Sequence, residues 1–154
     1  MKIRIICPGK IRERFLTDGI DEYKKRLSKY CTVEIIEVPD CPDTMPVDQA
    51  LALEGERILA KVSASDILWV MDLHGKEYTS EELSSLMISD LETGGSTLSI
   101  AIGGSNGLSP EVVTRANRRI CFGKITMTHQ MTRLLLLEQL YRGFKIYKGE
   151  KYHK

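Results

Sequence analysis

No run in this chain approaches the ~18 consecutive apolar residues that a membrane-spanning helix requires. The start, Met1-Lys2-Ile3-Arg4-Ile5-Ile6-Cys7, is too short and too charged to act as a secretory signal. Both absences lead us to expect a cytoplasmic protein with no membrane role. Cysteine is sparse: Cys7, Cys31, Cys41 and Cys121 form no Cys-x-x-Cys pair, and none has a histidine at zinc-ligand spacing. A zinc module is therefore excluded, no metal is expected, and the thiols should be reduced and partly buried. A Gly-x-x-x-x-Gly-Lys-Ser/Thr phosphate loop is missing too. The first turn, Cys7-Pro8-Gly9-Lys10, lacks the glycine fingerprint of a dinucleotide fold. There is no internal repeat and no low-complexity segment, so residues 1–154 are expected to form a single domain.

Net charge is also nearly absent, at +1. The balance is uneven, however. From Arg115 to Lys154 there are ten basic residues, offset only by Glu138 and Glu150, which leaves about −7 for residues 1–114. One end of the chain is built to meet something anionic, and nucleic acid is the first candidate.

What is present alternates between strand and helix. Ile3–Cys7 reads as a strand, residues 11–29 as a helix with Phe15, Leu16, Ile20, Tyr23 and Leu27 recurring, and residues 33–38 as a β-branched strand. Three prolines make residues 39–46 a loop, and Leu51, Glu54, Ile58, Leu59 and Val62 mark the next helix. Ile67–Met71 is a continuous apolar strand that should end at Asp72, with His74-Gly75-Lys76 as the turn. Thr79 and Glu82 have capping-box spacing ahead of a helix that Gly94-Gly95 stops. Leu98–Ile102 is a fourth strand, Ser109-Pro110-Glu111 starts a short helix, and Ile120–Phe122 is a brief fifth strand. A last helix spans residues 128–147, with Met131, Leu134, Leu135, Leu140, Tyr141 and Phe144 inward. The pattern predicts an α/β fold with a mostly parallel sheet flanked by helices.

In such sheets ligands bind beyond the carboxyl ends of strands, here Met71-Asp72, Ile102-Gly103 and Phe122-Gly123. Gly103-Gly104 directly after a strand suits close approach of an adenine or ribose to bare backbone. A tight strand-to-helix turn with no ligand would use the same residues. On the last helix, Glu138 and Arg142 have ion-pair spacing, and Gly143 asks for close packing against another helix, as at a dimer interface. The closing Tyr152-His153-Lys154 is either a frayed terminus or a set for stacking, proton transfer and phosphate contact. His129 opens the last helix as a cap or a site residue, and His74 reads as turn decoration.

Five segments in register make the chain resemble a known family. They are Met71-Asp72-x-x-Gly75-Lys76, Ile102-Gly103-Gly104-Ser105-Asn106-Gly107, His129-Gln130-x-x-Arg133, Glu138-Gln139-x-Tyr141-Arg142, and Tyr152-His153-Lys154. The family is the ribosomal large-subunit methyltransferase H family of small SPOUT-class enzymes, and the likeness spans the whole chain. It implies an S-adenosylmethionine-dependent enzyme that methylates N3 of a pseudouridine in the helix 69 loop of 23S rRNA, on the assembled ribosome. It also implies a homodimer and a C-terminal deep trefoil knot. Carried over by motif, the cofactor would lie against Met71, Gly103, and the Phe122-Gly123-Lys124-Ile125-Thr126-Met127 loop. His153 and Arg142 are the catalytic candidates, reaching from the subunit opposite the cofactor on a free tail. Tyr152 would pack on the base and Lys154 would neutralise phosphate, so Arg142, Tyr152, His153 and Lys154 form the RNA-binding set. Three positions depart from the family pattern: Thr128 for proline, which should loosen entry to the last helix, Gly143 for alanine, and Pro8 for an aliphatic residue. Two rival readings are a non-catalytic ribosome-associated protein and a nucleotide-binding module acting on small molecules. Cofactor uptake separates the first from an enzyme, and the basic C-terminal segment argues against the second.

Overall fold

Strands and helices alternate through the computed structural model, which describes residues 1–154. The order is β1 (Lys2–Pro8), α1 (Arg14–Leu27), β2 (Thr32–Val38), α2 (Val47–Leu59), β3 (Ile67–Glu77), α3 (Ser80–Thr93), β4 (Thr97–Ile102), α4 (Pro110–Arg115), β5 (Arg118–Cys121) and α5 (His129–Tyr147). The five strands form one sheet in the order β2-β1-β4-β3-β5. Every pairing is parallel, as a chain of strand–helix–strand units requires.

Side chains alternate across the sheet and divide the core into two layers. Ile3, Ile5, Trp69, Leu98 and Ile100 face α1, α3 and α5, whose Leu27, Met87, Leu137 and Phe144 complete the larger layer. Ile6, Leu68, Val70 and Ala101 point the other way, toward Ile58 of α2 and Val112 of α4. Each fully buried side chain of this size contributes roughly 1.5–3 kcal/mol. The sheet is thus covered on both faces, which explains the unbroken apolar runs in its strands.

Helix starts follow their capping residues. Thr79 accepts from Glu82 N–H at 3.1 Å, and the Glu82 carboxylate accepts from Thr79 N–H at 2.9 Å, completing the expected box. Ser109 caps α4 ahead of Pro110. Glu13 makes no side-chain cap and stays extended, so α1 begins at Arg14 rather than near residue 11. All four cysteines are free. Burial pushes the Cys7 and Cys31 thiols up to about 11, so both serve as neutral packing groups.

Three expectations are corrected. β3 does not end at Asp72 and His74-Gly75-Lys76 is not its closing turn. The chain bulges and rejoins β5, so that Met71 and Lys76 both lie opposite Ile120, and Glu77 lies opposite Cys121. β5 runs over 118–121 and leaves Phe122 outside, because β3 offers its last partner, Glu77, to Cys121. On α5, Arg133, Leu136 and Leu137 are buried with Leu140 and Phe144, whereas Met131, Leu134, Leu135 and Tyr141 are only partly so. Gly143 is indeed a packing glycine, but the helix against it is α3 of the same chain. Ser84 Oγ donates to Gly143 O at 2.6 Å, and a Cβ there would sit 3.0 Å from Met87 Cε.

Candidate functional site

The bulge of β3 and the loops that follow β4 and β5 meet around one cavity. The loop after β4 folds onto itself through the Gly104–Gly107 bridge, with Gly107 N–H donating to Gly104 O at 3.1 Å. A Cβ on Gly103 would lie 2.4 Å from Gly107 O. The missing side chain at Gly103 is therefore demanded by the loop's own backbone, and approach of a ligand is not needed to explain it.

The bulge of β3 forms the second wall. Asp72 accepts from His74 N–H at 3.0 Å and from the Arg119 guanidinium at 2.7 Å. Burial opposes ionisation of Asp72, but the His74 amide and the Arg119 cation outweigh it and hold the carboxyl below the usual carboxylate range. The third wall is the segment after β5. Cys121 Sγ lies 3.4 Å from Leu73 O and 3.1 Å from Gly123 O, so one weak thiol donor ties this segment to the bulge. Gly123 has φ +131°, a conformation closed to side-chain-bearing residues.

The N-terminus of α5 closes the floor. Thr128 accepts from Met131 N–H at 3.2 Å, so entry to this helix is capped and the loosening expected from its replacing proline does not occur. His129 follows, with its Nδ1 buried and without a partner. Burial first, and then the nearby Arg133 cation, push its pKa below the ordinary histidine value, so it is neutral at neutral pH. Arg133 itself is 1% exposed. It donates to Pro8 O at 2.6 Å and Gly9 O at 3.1 Å and faces Glu37 at 3.5 Å, which clamps the start of α5 to the end of β1.

These walls enclose a cavity of about 760 Å³, within the range of small-molecule sites. Of the eight residues expected around a cofactor, Met71, Gly103, Phe122, Gly123, Ile125, Thr126 and Met127 line it. Lys124 does not; its side chain points to solvent. Asp72, Leu73, His74, His129 and Thr132 also line the cavity. The sequence reading set His74 aside as turn decoration, although its place just after the apolar run Ile67–Met71 was the available signal; it lies in the bulge of β3. Leu73 (52% exposed) and Ile125 (79% exposed) form an apolar rim.

The tail forms a second cluster. Tyr152 OH donates to Glu138 Oε1 at 3.1 Å and lies 3.5 Å from Tyr23 OH, while its ring meets Tyr141 edge-on at 4.9 Å. Arg142 stacks over that ring and pairs with Glu138. His153 lies between Arg142, 3.3 Å from Nδ1, and Glu81, 2.8 Å from Nε2. Arginine has only donors, so a neutral His153 must accept at Nδ1 and carry its proton on Nε2, facing Glu81. The expected free tail is thus folded back, because the Tyr152 hydroxyl and His153 ring find partners on α5 and α3. Lys154 is exposed. The structure brings Arg142 and His153 together, but not to the cavity. Thr132 and Arg142 are separated by ten residues of α5, ~15 Å along its axis.

No group of three or more His, Cys, Asp or Glu side chains is arranged to hold a metal, and no helix is long and apolar enough to cross a membrane. Among solved structures, a probable methylase family protein from Haemophilus influenzae superposes with a TM-score of 0.55 at 14% identity, over 99% of this chain and 70% of that one. A probable methyltransferase from Bordetella pertussis gives 0.57 at 15% identity, over 92% and 95%. At these identities the likeness speaks for the fold alone. Proteins named ribosomal RNA large subunit methyltransferase H are 45% identical in Enterococcus faecalis, 46% in Pediococcus pentosaceus and 48% in Clostridium botulinum, in each case over the full length of both chains. The family model described as "Predicted SPOUT methyltransferase" matches residues 1–153. The chain therefore belongs to the SPOUT methyltransferases, and within them to the family of ribosomal RNA large subunit methyltransferase H.

Proposed function

We propose that this protein methylates large-subunit ribosomal RNA, using S-adenosylmethionine to modify N3 of a pseudouridine in 23S rRNA on the assembled ribosome. The observation that carries the reading is the cavity between the bulge of β3 and the loops that follow β4 and β5. Its walls are the three segments that motif resemblance singled out, in a chain whose full-length relatives bear the corresponding name. The residues fit the cofactor. Met71, Ile102 and Phe122 offer apolar surface for an adenine, and the Gly103–Gly107 and 123–127 backbones offer donors and acceptors for its polar edges. When bound, the cofactor supplies an electrophilic methyl group on a sulfonium.

The remaining work belongs to this chain. The target imide must lose its N3 proton as the nitrogen attacks. His153 is the acceptor we assign, with Tyr152 packed on the base and Lys154 on phosphate. In the free chain Arg142 covers the His153 Nδ1 lone pair, so Arg142 must turn toward the RNA before that nitrogen can take a proton. Because the tail cluster and the cavity are ~15 Å apart along α5 of one chain, a homodimer is part of the proposal, each tail serving the other cavity. Partly buried Met131, Leu134 and Leu135 on α5 and the 67%-exposed Phe15 on α1 give a second copy an apolar face. A trefoil knot in the C-terminal half of the sheet belongs to the same reading, as does a cytoplasmic location beside the ribosome.

The test is mass mapping of rRNA from cells lacking the gene, with and without re-supplied protein, joined to calorimetry of S-adenosylmethionine with the pure protein. Loss and return of one methyl on a 23S pseudouridine is expected. An unchanged rRNA, or no cofactor uptake, would overturn the reading.

A further inference from the structure

The charge count along the sequence places the cations in the last forty residues, yet the fold moves others beside them. α1 ends in Lys24, Lys25 and Arg26, followed by Lys29. This end of α1 packs along the end of α5, which carries Lys145 and Lys148. Between them runs a groove of about 570 Å³ with Tyr30 and Tyr141 in its walls. Five cations line it against two carboxylates, Glu22 and Glu150. Both acids are engaged: Glu22 with Arg26 at 2.9 Å, and Glu150 with Tyr30 OH at 2.7 Å and with Lys145. Lys25, Lys29 and Lys148 have no ion-pair partner within the chain, and all three are exposed.

The groove is continuous with the tail. Arg26 lies over the Tyr23 and Tyr141 rings at 5.1 and 5.9 Å, and Tyr141 meets Tyr152 at 4.9 Å. An anionic polymer laid between α1 and α5 would therefore arrive at the Tyr152–His153 cluster. Unpaired, flexible ammonium groups suit phosphates, which position a strand without reading its sequence. Aromatic walls among cations are what single-stranded nucleic acid binds.

We propose that the α1–α5 groove is a phosphate track, in which Lys25, Lys29 and Lys148 hold the backbone of ribosomal RNA and lead it to the tail. This inference rests on the rRNA methyltransferase reading and adds to it a surface outside the cofactor cavity and the closing tripeptide. It also offers one answer to how a chain this small grips a ribosome, since two of the three track lysines, Lys25 and Lys29, come from its acidic portion.

The experiment compares the full-length wild type with the triple variant Lys25→Gln, Lys29→Gln, Lys148→Gln. Filter binding to intact ribosomes lacking the methyl mark is read between about 50 and 200 mM salt, a range over which phosphate contacts lose affinity steeply. We expect the variant to bind ribosomes at least tenfold more weakly at the low-salt end. Its log–log salt slope should be shallower by about 2, at about 0.7 per lost phosphate contact on a single strand. Cofactor affinity and melting temperature, measured on the same preparations, should match the wild type. Unchanged ribosome affinity and slope in a variant that still takes up cofactor would overturn the track. So would a loss of binding to anionic lipid vesicles with ribosome binding intact, which would assign the face to a membrane surface. If the wild type methylates no rRNA, the underlying reading fails. If it does and the variant binds ribosomes equally well, only the track fails.

Discussion

Replacing Asp90 with alanine should destabilise the protein by about 2–3 kcal/mol, mainly through one orphaned indole. The Asp90 carboxylate is 3% exposed. It accepts from Trp69 Nε1 at 2.7 Å and from Arg118 Nε and Nη2, both at 3.1 Å. Trp69 is fully buried, so its N–H would have no water to turn to, and an unsatisfied buried donor costs about 1–3 kcal/mol. Arg118 is 43% exposed and can hydrate, so its share is that of a surface pair, about 0–1 kcal/mol. For a domain of this size the melting temperature should fall by roughly 5–10 °C, at about 2–4 °C per kcal/mol. Asp90→Asn, with its amide oxygen at the Oδ2 position, keeps the acceptor for the indole and for Arg118 Nε and turns an NH2 against Arg118 Nη2, so about 1 kcal/mol is expected. Urea unfolding followed by the fluorescence of Trp69, the sole tryptophan, reads the indole's surroundings directly. Protein concentration must be matched, since association would shift the apparent stability. Asp90→Ala losing less than about 1 kcal/mol, or Asn losing as much as Ala, would refute the assignment of the energy to the indole bond.

His153→Ala should cut turnover at least tenfold in methyl transfer to ribosomes and leave cofactor affinity by calorimetry unchanged; equal turnover would remove the tail from the mechanism. Gly143→Ala should raise stability by up to about 1 kcal/mol through helix propensity. The new Cβ would sit 3.0 Å from the flexible end of Met87 and in ordinary contact, at 3.5 Å, with Ser84 Cα, and a loss of stability in urea would show that the α3–α5 spacing cannot give. The pKa of His129 is depressed by burial and by Arg133, so protonation favours the unfolded chain. Its contribution is complete above the ordinary histidine value of 6.5 and fades as pH falls below it. Wild-type stability should thus decline more steeply than that of His129→Gln between about pH 7 and pH 5, and parallel curves would contradict the buried-neutral assignment.

Periodicity and capping chemistry made the layered α/β architecture legible, because each signal was local: alternation in Ile3–Cys7, the Thr79–Glu82 box, Ser109 before Pro110. Non-local facts were not. That β3 continues past its bulge depends on pairing with β5, some forty residues further on. Arg133 read as a polar intruder in a leucine run, and only the closing of α5 onto the end of β1 reveals two carbonyls waiting for it. The three segments expected at strand ends do line one cavity, but β3 runs on past its bulge and β5 stops before Phe122, and Gly103 was credited with room for a ligand when the Gly107 backbone already occupies that space. The tail residues were found by motif, whereas their partners, Glu81 and Glu138, are visible only once α3 and α5 lie side by side.

The position of β5 has a bearing on how the cavity is enclosed. It is one of the two edge strands, four residues long, and its only neighbour is β3. Yet it carries one wall of the cavity and, through Cys121, the tie to another. A sheet built only as far as β4 would thus lack both that wall and its thiol tie to the bulge, and would not enclose the cavity.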